Sequence, residues 1–119
     1  MKITILLSMM LSFMMTVQTT YAQKEKKKVE TKTFEVSGVC DMCEKRIENA
    51  ALIKGVKYAE WNKEAQKLKV IYKTKLTNEK AIHKAVAEAG HDTEKVKATD
   101  ESYEKLPACC AYRDGVEIH

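Results

Sequence analysis

Along residues 33–37 apolar and polar positions alternate, with Phe34 and Val36 on one side and Thr33, Glu35 and Ser37 on the other. That period of two predicts a half-buried strand. From Met42 onward the period lengthens: Cys43, Ile47, Ala50, Ala51 and Ile53 recur at helical spacing, and Gly55 supplies a C-terminal stop. Residues 56–62 and 68–73 read as two further strands across the polar stretch 63–66. Ala59 and Trp61 share a face in the first, and Leu68, Val70 and Tyr72 share one in the second. A second helix is predicted from Thr77, whose hydroxyl is placed to cap the first turn and is followed by Glu79 at the positive end of the dipole. Its buried stripe is Ala81, Ile82, Ala85, Val86 and Ala89, and Gly90 closes it. Val96 and Ala98 predict a short last strand. The order βαββαβ is an α+β, ferredoxin-like sandwich, an antiparallel sheet with two helices on one face.

The flanks read differently. Lys2 is followed by an uncharged apolar run over residues 3–17 and by small residues at Thr20-Tyr21-Ala22, the signature of a cleaved secretory signal over residues 1–22. The apolar run is shorter than the roughly 20 residues a helix needs to span a bilayer. The expected chain is therefore exported and periplasmic, with no stable membrane insertion after cleavage. Residues 23–31 are a basic linker, residues 32–98 the domain, and residues 99–119 a tail. Twenty-one Lys and Arg against 17 Asp and Glu leave a net charge of only +4, interleaved along the chain rather than clustered with stacking aromatics. That pattern gives no nucleic-acid surface.

Where the first strand gives way to the first helix lies Ser37-Gly38-Val39-Cys40-Asp41-Met42-Cys43-Glu44-Lys45-Arg46. Cys40 and Cys43 are expected on a short exposed turn, close enough to share one soft metal ion or to oxidise together. A cysteine at a helix start has its thiolate favoured by the dipole and free amides, and Cys43, near Lys45 and Arg46, is the predicted beneficiary. Thiolates select copper(I), mercury(II) or zinc over calcium and magnesium. Two ligands suit copper(I) and mercury(II) better than zinc, which takes four.

The element order, the Cys-x-x-Cys pair at the first strand-to-helix turn, Gly55-Val56 after helix one and Ala89-Gly90 at the end of helix two resemble the heavy-metal-associated domain. That family includes copper chaperones, amino-terminal modules of copper-transporting ATPases and a periplasmic mercury-binding protein. The resemblance spans about Lys32 to Ala98. It implies a metal-transport protein, not an enzyme, that binds one ion through Cys40 and Cys43 and passes it to a metal-transporting or metal-accepting partner. Copper(I) is the first candidate, with mercury(II) and zinc as alternatives. The family's motif reads Gly-Met-Thr-Cys-x-x-Cys. Here Gly38 stands two places before Cys40, Val39 directly precedes it, and the nearby methionine is Met42, between the cysteines. The loop is one residue shorter, without the methionine that packs beneath it.

The rival reading is a thiol-disulfide oxidoreductase. That fold wants a proline facing the active site, whereas the sole proline, Pro107, lies in the tail. Four cysteines also allow a disulfide framework, but Cys40 and Cys43 form one tight pair, and Cys109 and Cys110 are adjacent far from it. Two readings stand for that second pair: the tail folds over the Cys40 loop so that four thiols enclose an ion, or the pair forms an intermolecular disulfide. His91 falls in the loop after Ala89-Gly90 and reads either as a third ligand or as a solvated histidine. His83 falls on the polar side of helix two and reads as surface.

Overall fold

The computed structural model describes residues 28–115 together with 118 and 119. The predicted signal and most of the basic linker lie outside these residues. Strand β1 (Val29–Glu35), helix α1 (Asp41–Ala51), strands β2 (Val56–Asn62) and β3 (Lys67–Lys73), and helix α2 (Glu79–Glu88) follow in that order. The three strands form one antiparallel sheet in the order β1-β3-β2, the arrangement of a ferredoxin-like sandwich. Among the described residues no helix is long and apolar enough to cross a membrane.

Strand β1 starts within the predicted basic linker, because central β3 offers it a full partner edge: Val29 pairs with Lys73 and the register runs unbroken to Glu35 and Lys67. Tyr72 donates to Glu30 at 3.0 Å across this pairing. Helix α1 buries Cys43, Ile47 and Ala51, an i, i+4, i+8 stripe on one face. It stops at Ala51, short of the predicted glycine. The Leu52 amide closes the last turn on Glu48 and Asn49, leaving Gly55 to make the following turn at φ 98°. Helix α2 is capped not by Thr77 but by Asn78, whose side-chain oxygen accepts from the Ala81 amide at 2.9 Å.

The buried face of α2 also differs from the predicted stripe. His83 and Ala87 join Ile82 and Val86 inside. The His83 ring stacks on Phe34 of β1 at 3.8 Å between centroids, with Nδ1 2.6 Å from the Thr93 hydroxyl and Nε2 3.2 Å from Glu79. Both ring nitrogens find partners, so the imidazole is tolerated in the core although its neighbour Lys84 is exposed.

The predicted last strand at Val96 and Ala98 is reduced to one bridge, Val36 to Thr93. Thr93 accounts for this. Its amide donates to the Val96 carbonyl, and its hydroxyl accepts from the Lys95 and Val96 amides. A tight turn therefore consumes the groups that a fourth strand would present to β1. Beyond it a short helix α3 (Asp100–Glu104), capped by Thr99, and two single 3₁₀ turns (Ala108–Cys110 and Tyr112–Asp114) carry the tail back over the α1 N-terminus.

The loop before α1 is braced from below. Trp61 Nε1 donates to the Val36 carbonyl at 3.0 Å, and Gln66, held at φ 57°, accepts from the Gly38 amide at 3.0 Å. A Cβ on Gly38 would stand 2.9 Å from the Trp61 ring and 3.2 Å from Cys43 Cβ. The indole thus occupies the space under the loop that a motif methionine is expected to fill, and glycine is required because the indole is there. Accordingly, Gly38→Ala is expected to destabilise the domain by about 1–3 kcal/mol, the usual cost of overpacking. Urea unfolding followed by Trp61 fluorescence measures it, and an unchanged midpoint would contradict this account of the loop.

Candidate metal centre

Cys40 is the N-cap of α1, in extended conformation, with its carbonyl accepting the Glu44 amide. Cys43 lies one turn later on the buried stripe of the same helix. Their sulfurs are 3.4 Å apart. The third sulfur comes from the tail: Cys110 Sγ lies 3.4 Å from Cys40 Sγ and accepts from Arg46 Nη1 at 3.6 Å. Cys40, Cys43 and Cys110 together have ligand atoms within 4.8 Å of one another, and all three residues are buried. The pair expected on an exposed turn is therefore covered, Cys40 being only 5% exposed and Cys43 and Cys110 not at all.

The tail reaches this position through a polar clamp. Arg113 donates from Nη2 to Asp92 Oδ1 at 2.6 Å and from Nε to Oδ2 at 3.2 Å, and its Nη2 also reaches the Ala98 carbonyl at 2.7 Å. The guanidinium lies 4.5 Å from the centre of the Tyr103 ring. Tyr112 donates to the Gly90 carbonyl at 2.7 Å and accepts from the Asp92 amide at 2.9 Å. Burial would raise the Asp92 carboxyl, but the hydrogen bonds from Arg113 and the Ala98 amide hold it below the usual carboxylate range.

His91 does not belong to the three-sulfur group and is not a solvated loop histidine. It is fully buried, donates from Nδ1 to the Ser37 carbonyl at 2.8 Å, and stacks against Tyr112 at 5.6 Å. Burial, with the Arg46 charge in support, outweighs the Ser37 hydrogen bond and lowers its pKa to about 4. The ring is neutral and ties the loop before Cys40 to the tail.

The four-thiol enclosure is only three-quarters formed. Cys109, half-buried, points its thiol instead at Met42 Sδ, 3.7 Å away, and its sulfur is 4.0 Å from that of Cys110. All four cysteines are free thiols.

Electrostatics divide the cluster. Burial opposes ionisation of Cys40, but the Cys43 amide, the Cys110 and Cys43 thiols and the Met42 amide together bring its pKa down to about 7. Cys43, the predicted acidic thiol, moves the other way: burial raises it and the Cys40 sulfur adds to the rise. Burial and the two neighbouring sulfurs likewise push Cys110 far above the ordinary thiol range. The helix start activates the cap residue, whose sulfur faces the amides, rather than the residue one turn inside.

The heavy-metal-associated domain model matches residues 33–92. The solved structures similar to this chain include the CopZ metallochaperone, with 26% identity, a TM-score of 0.52, and coverage of 54% of this chain and 98% of that one. The N-terminal domain of a potential copper-translocating P-type ATPase from Bacillus subtilis, solved in the Cu(I)-loaded state, is 28% identical with a TM-score of 0.52, covering 55% of this chain and 84% of that one. A copper binding domain from HMA7, a P-type ATPase, shares the fold at 24% identity and a TM-score of 0.52, covering 54% and 89%. No curated protein matches the chain. Cys109 and Cys110 lie beyond the matched segment, so the third sulfur is supplied from outside the domain.

In the reduced, metal-free protein one thiolate is expected to titrate near pH 7, with its population rising as pH rises, while Cys43 and Cys110 stay protonated there. Thiolate ultraviolet absorbance against pH measures this. The neutral step should vanish in Cys40→Ser, and its persistence there would assign the acidic thiol wrongly.

Proposed function

The chain belongs to the heavy-metal-associated domain family, and we propose that it is a soft-metal carrier that takes its ion on Cys40, Cys43 and the tail's Cys110 and delivers it to a partner. The observation that carries this reading is the convergence of three buried sulfurs within 4.8 Å, one on the helix cap, one inside the helix and one on the tail. Soft sulfur donors select copper(I) and mercury(II), and the three gathered here among the described residues suit zinc less well, since it takes four. Copper(I) is the first candidate. The similar ATPase N-terminal domain solved in the Cu(I)-loaded state supports that choice, and together with the CopZ metallochaperone it supports a metal transporter as the accepting partner.

Loading exchanges protons for metal. Near neutral pH only Cys40 is substantially ionised, so binding to three thiolates expels the protons of Cys43 and Cys110. Arg46, 3.6 Å from Cys110 Sγ, offsets part of the negative charge that three thiolates bring together. Nothing in this cycle is a chemical transformation, and the protein acts as a binding protein rather than an enzyme. The oxidoreductase reading requires an attacking thiol open to a protein disulfide. Cys40 has the acidity for that role but is 5% exposed beneath the tail, which argues against it. The apolar leader supports export to the periplasm as the setting.

Copper(I) competition titration under reducing conditions tests the site. Cys40→Ser and Cys43→Ser are each expected to abolish tight binding of the first ion. Cys110→Ser should weaken it by about tenfold or more, about 1.4 kcal/mol per decade. Affinity should fall as pH drops through 7, because protons compete for the sulfurs. Undiminished binding in the Cys40→Ser, Cys43→Ser variant would place the site elsewhere. Equal affinity in Cys110→Ser would remove the tail from it.

A further inference from the structure

Among the described residues two soft sulfur donors remain outside the three-sulfur cluster. Met42 lies in the first turn of α1 and is 53% exposed, its thioether open to solvent on the tail side of the helix start. Cys109 on the tail directs its thiol at the Met42 thioether from 3.7 Å, and its sulfur is 4.0 Å from Cys110 Sγ. We propose that Met42 and Cys109, with Cys110 Sγ as a shared bridging ligand, form a second, outer site for a copper(I)-class ion. This proposal rests on the reading of the inner three-sulfur site.

The geometry fits a small soft cation. A metal–sulfur distance of about 2.3 Å places the three donors of a trigonal ion about 4 Å apart. The two outer separations, 3.7 and 4.0 Å, match that spacing. A thioether and a thiolate are both soft, and neither attracts calcium or magnesium. Loading moves the Cys109 thiol proton to solvent and replaces the S–H···S contact with bonds from the metal to Met42 and Cys109, while the third bond goes to Cys110, whose proton has already left with inner loading. No electron is transferred. A thiolate retains lone pairs after binding one metal, so the Cys110 sulfur can serve both ions. The outer ion then rides on the exposed side of the buried one.

The test is a copper(I) count on the reduced full chain, titrated anaerobically against a competing chelator. Two ions per chain are expected for the wild type and one for the Met42→Leu, Cys109→Ser variant. Met42→Cys, which keeps a soft donor, should still take two. These substitutions fall at positions outside the buried core, and circular dichroism confirms the fold. A wild-type count of one that Cys40→Ser, Cys43→Ser abolishes overturns the outer site and leaves the inner carrier reading standing. Two ions retained by Met42→Leu, Cys109→Ser also overturns it. Counts unchanged in Cys40→Ser, Cys43→Ser overturn the inner reading and the outer site with it.

Discussion

Asp92 accepts both Nε and Nη2 of Arg113, and the sulfur arrangement depends on that fork. Asp92 belongs to the domain, at the loop after α2 whose carbonyl also receives the Ser37 amide. Arg113 belongs to the tail, three residues beyond Cys110. Tyr112 adds a bond in each direction between its hydroxyl and the same loop. Both charged side chains are about four-fifths buried, so the pair is little screened, and each charge-assisted hydrogen bond contributes about 1.5–3 kcal/mol. Without such a hold, ordering the tail would cost about 1–2 kcal/mol per residue in backbone entropy, with only a few apolar contacts to offset it. His91 hydrogen-bonds to the Ser37 carbonyl of the loop through its ring edge and stacks on Tyr112 of the tail, so the histidine joins loop to tail.

That stack brings together three thiols that resist ionising together. Each sulfur that becomes negative raises its neighbours, and burial raises all three, so the metal-free cluster carries essentially one thiolate, on the cap residue that backbone amides favour. The domain thus holds its thiols in a protonated, compact state and leaves to the metal the work of displacing the remaining protons. Softness of the cation decides the outcome, since a hard cation gains too little from sulfur to do so.

The parts of this arrangement differ in how far the chain reveals them. Cys40 and Cys43 were legible because a two-residue gap at a strand-to-helix change is local information, and the alternation of β1 to β3 and the stripe of α1 are local too. Where tertiary partners decide, local pattern fails. His83 looks like surface beside Lys84, yet Phe34 offers a stacking face and Thr93 and Glu79 satisfy both nitrogens. The last strand is lost to a side-chain turn at Thr93 that competes with the sheet. The missing motif methionine is answered by Trp61, far along the chain, through contact with Gly38. Cys110 is the hardest case. Its adjacency to Cys109 marks chemistry, but its convergence on Cys40 is separated by 70 residues and rests on Asp92 meeting Arg113. Which thiol of the pair would turn inward was not visible, because that is set by the 3₁₀ turn at residues 108–110.

If the ion is handed on as proposed, burial of the sulfurs also changes how delivery would proceed. An ion on two exposed thiols is open to attack, whereas one on three buried thiols must lose a ligand before a partner's sulfur can replace it. Cys43 is fixed within α1, on the stripe packed into the core, and Cys40 is fixed by capping the same helix. Cys110 sits on a three-residue turn held by the clamp and by side-chain bonds of Tyr112 and Arg113. Releasing such a segment is a local opening, and it costs less than unfolding the sheet and helices that hold the other two sulfurs. On that reading the ligand that yields first is the one outside the family's domain. The tail both tightens the site and provides the part that can yield, and a partner that competes for Cys110's place on the ion, or for Asp92's place on Arg113, would open it without disturbing the pair on the helix.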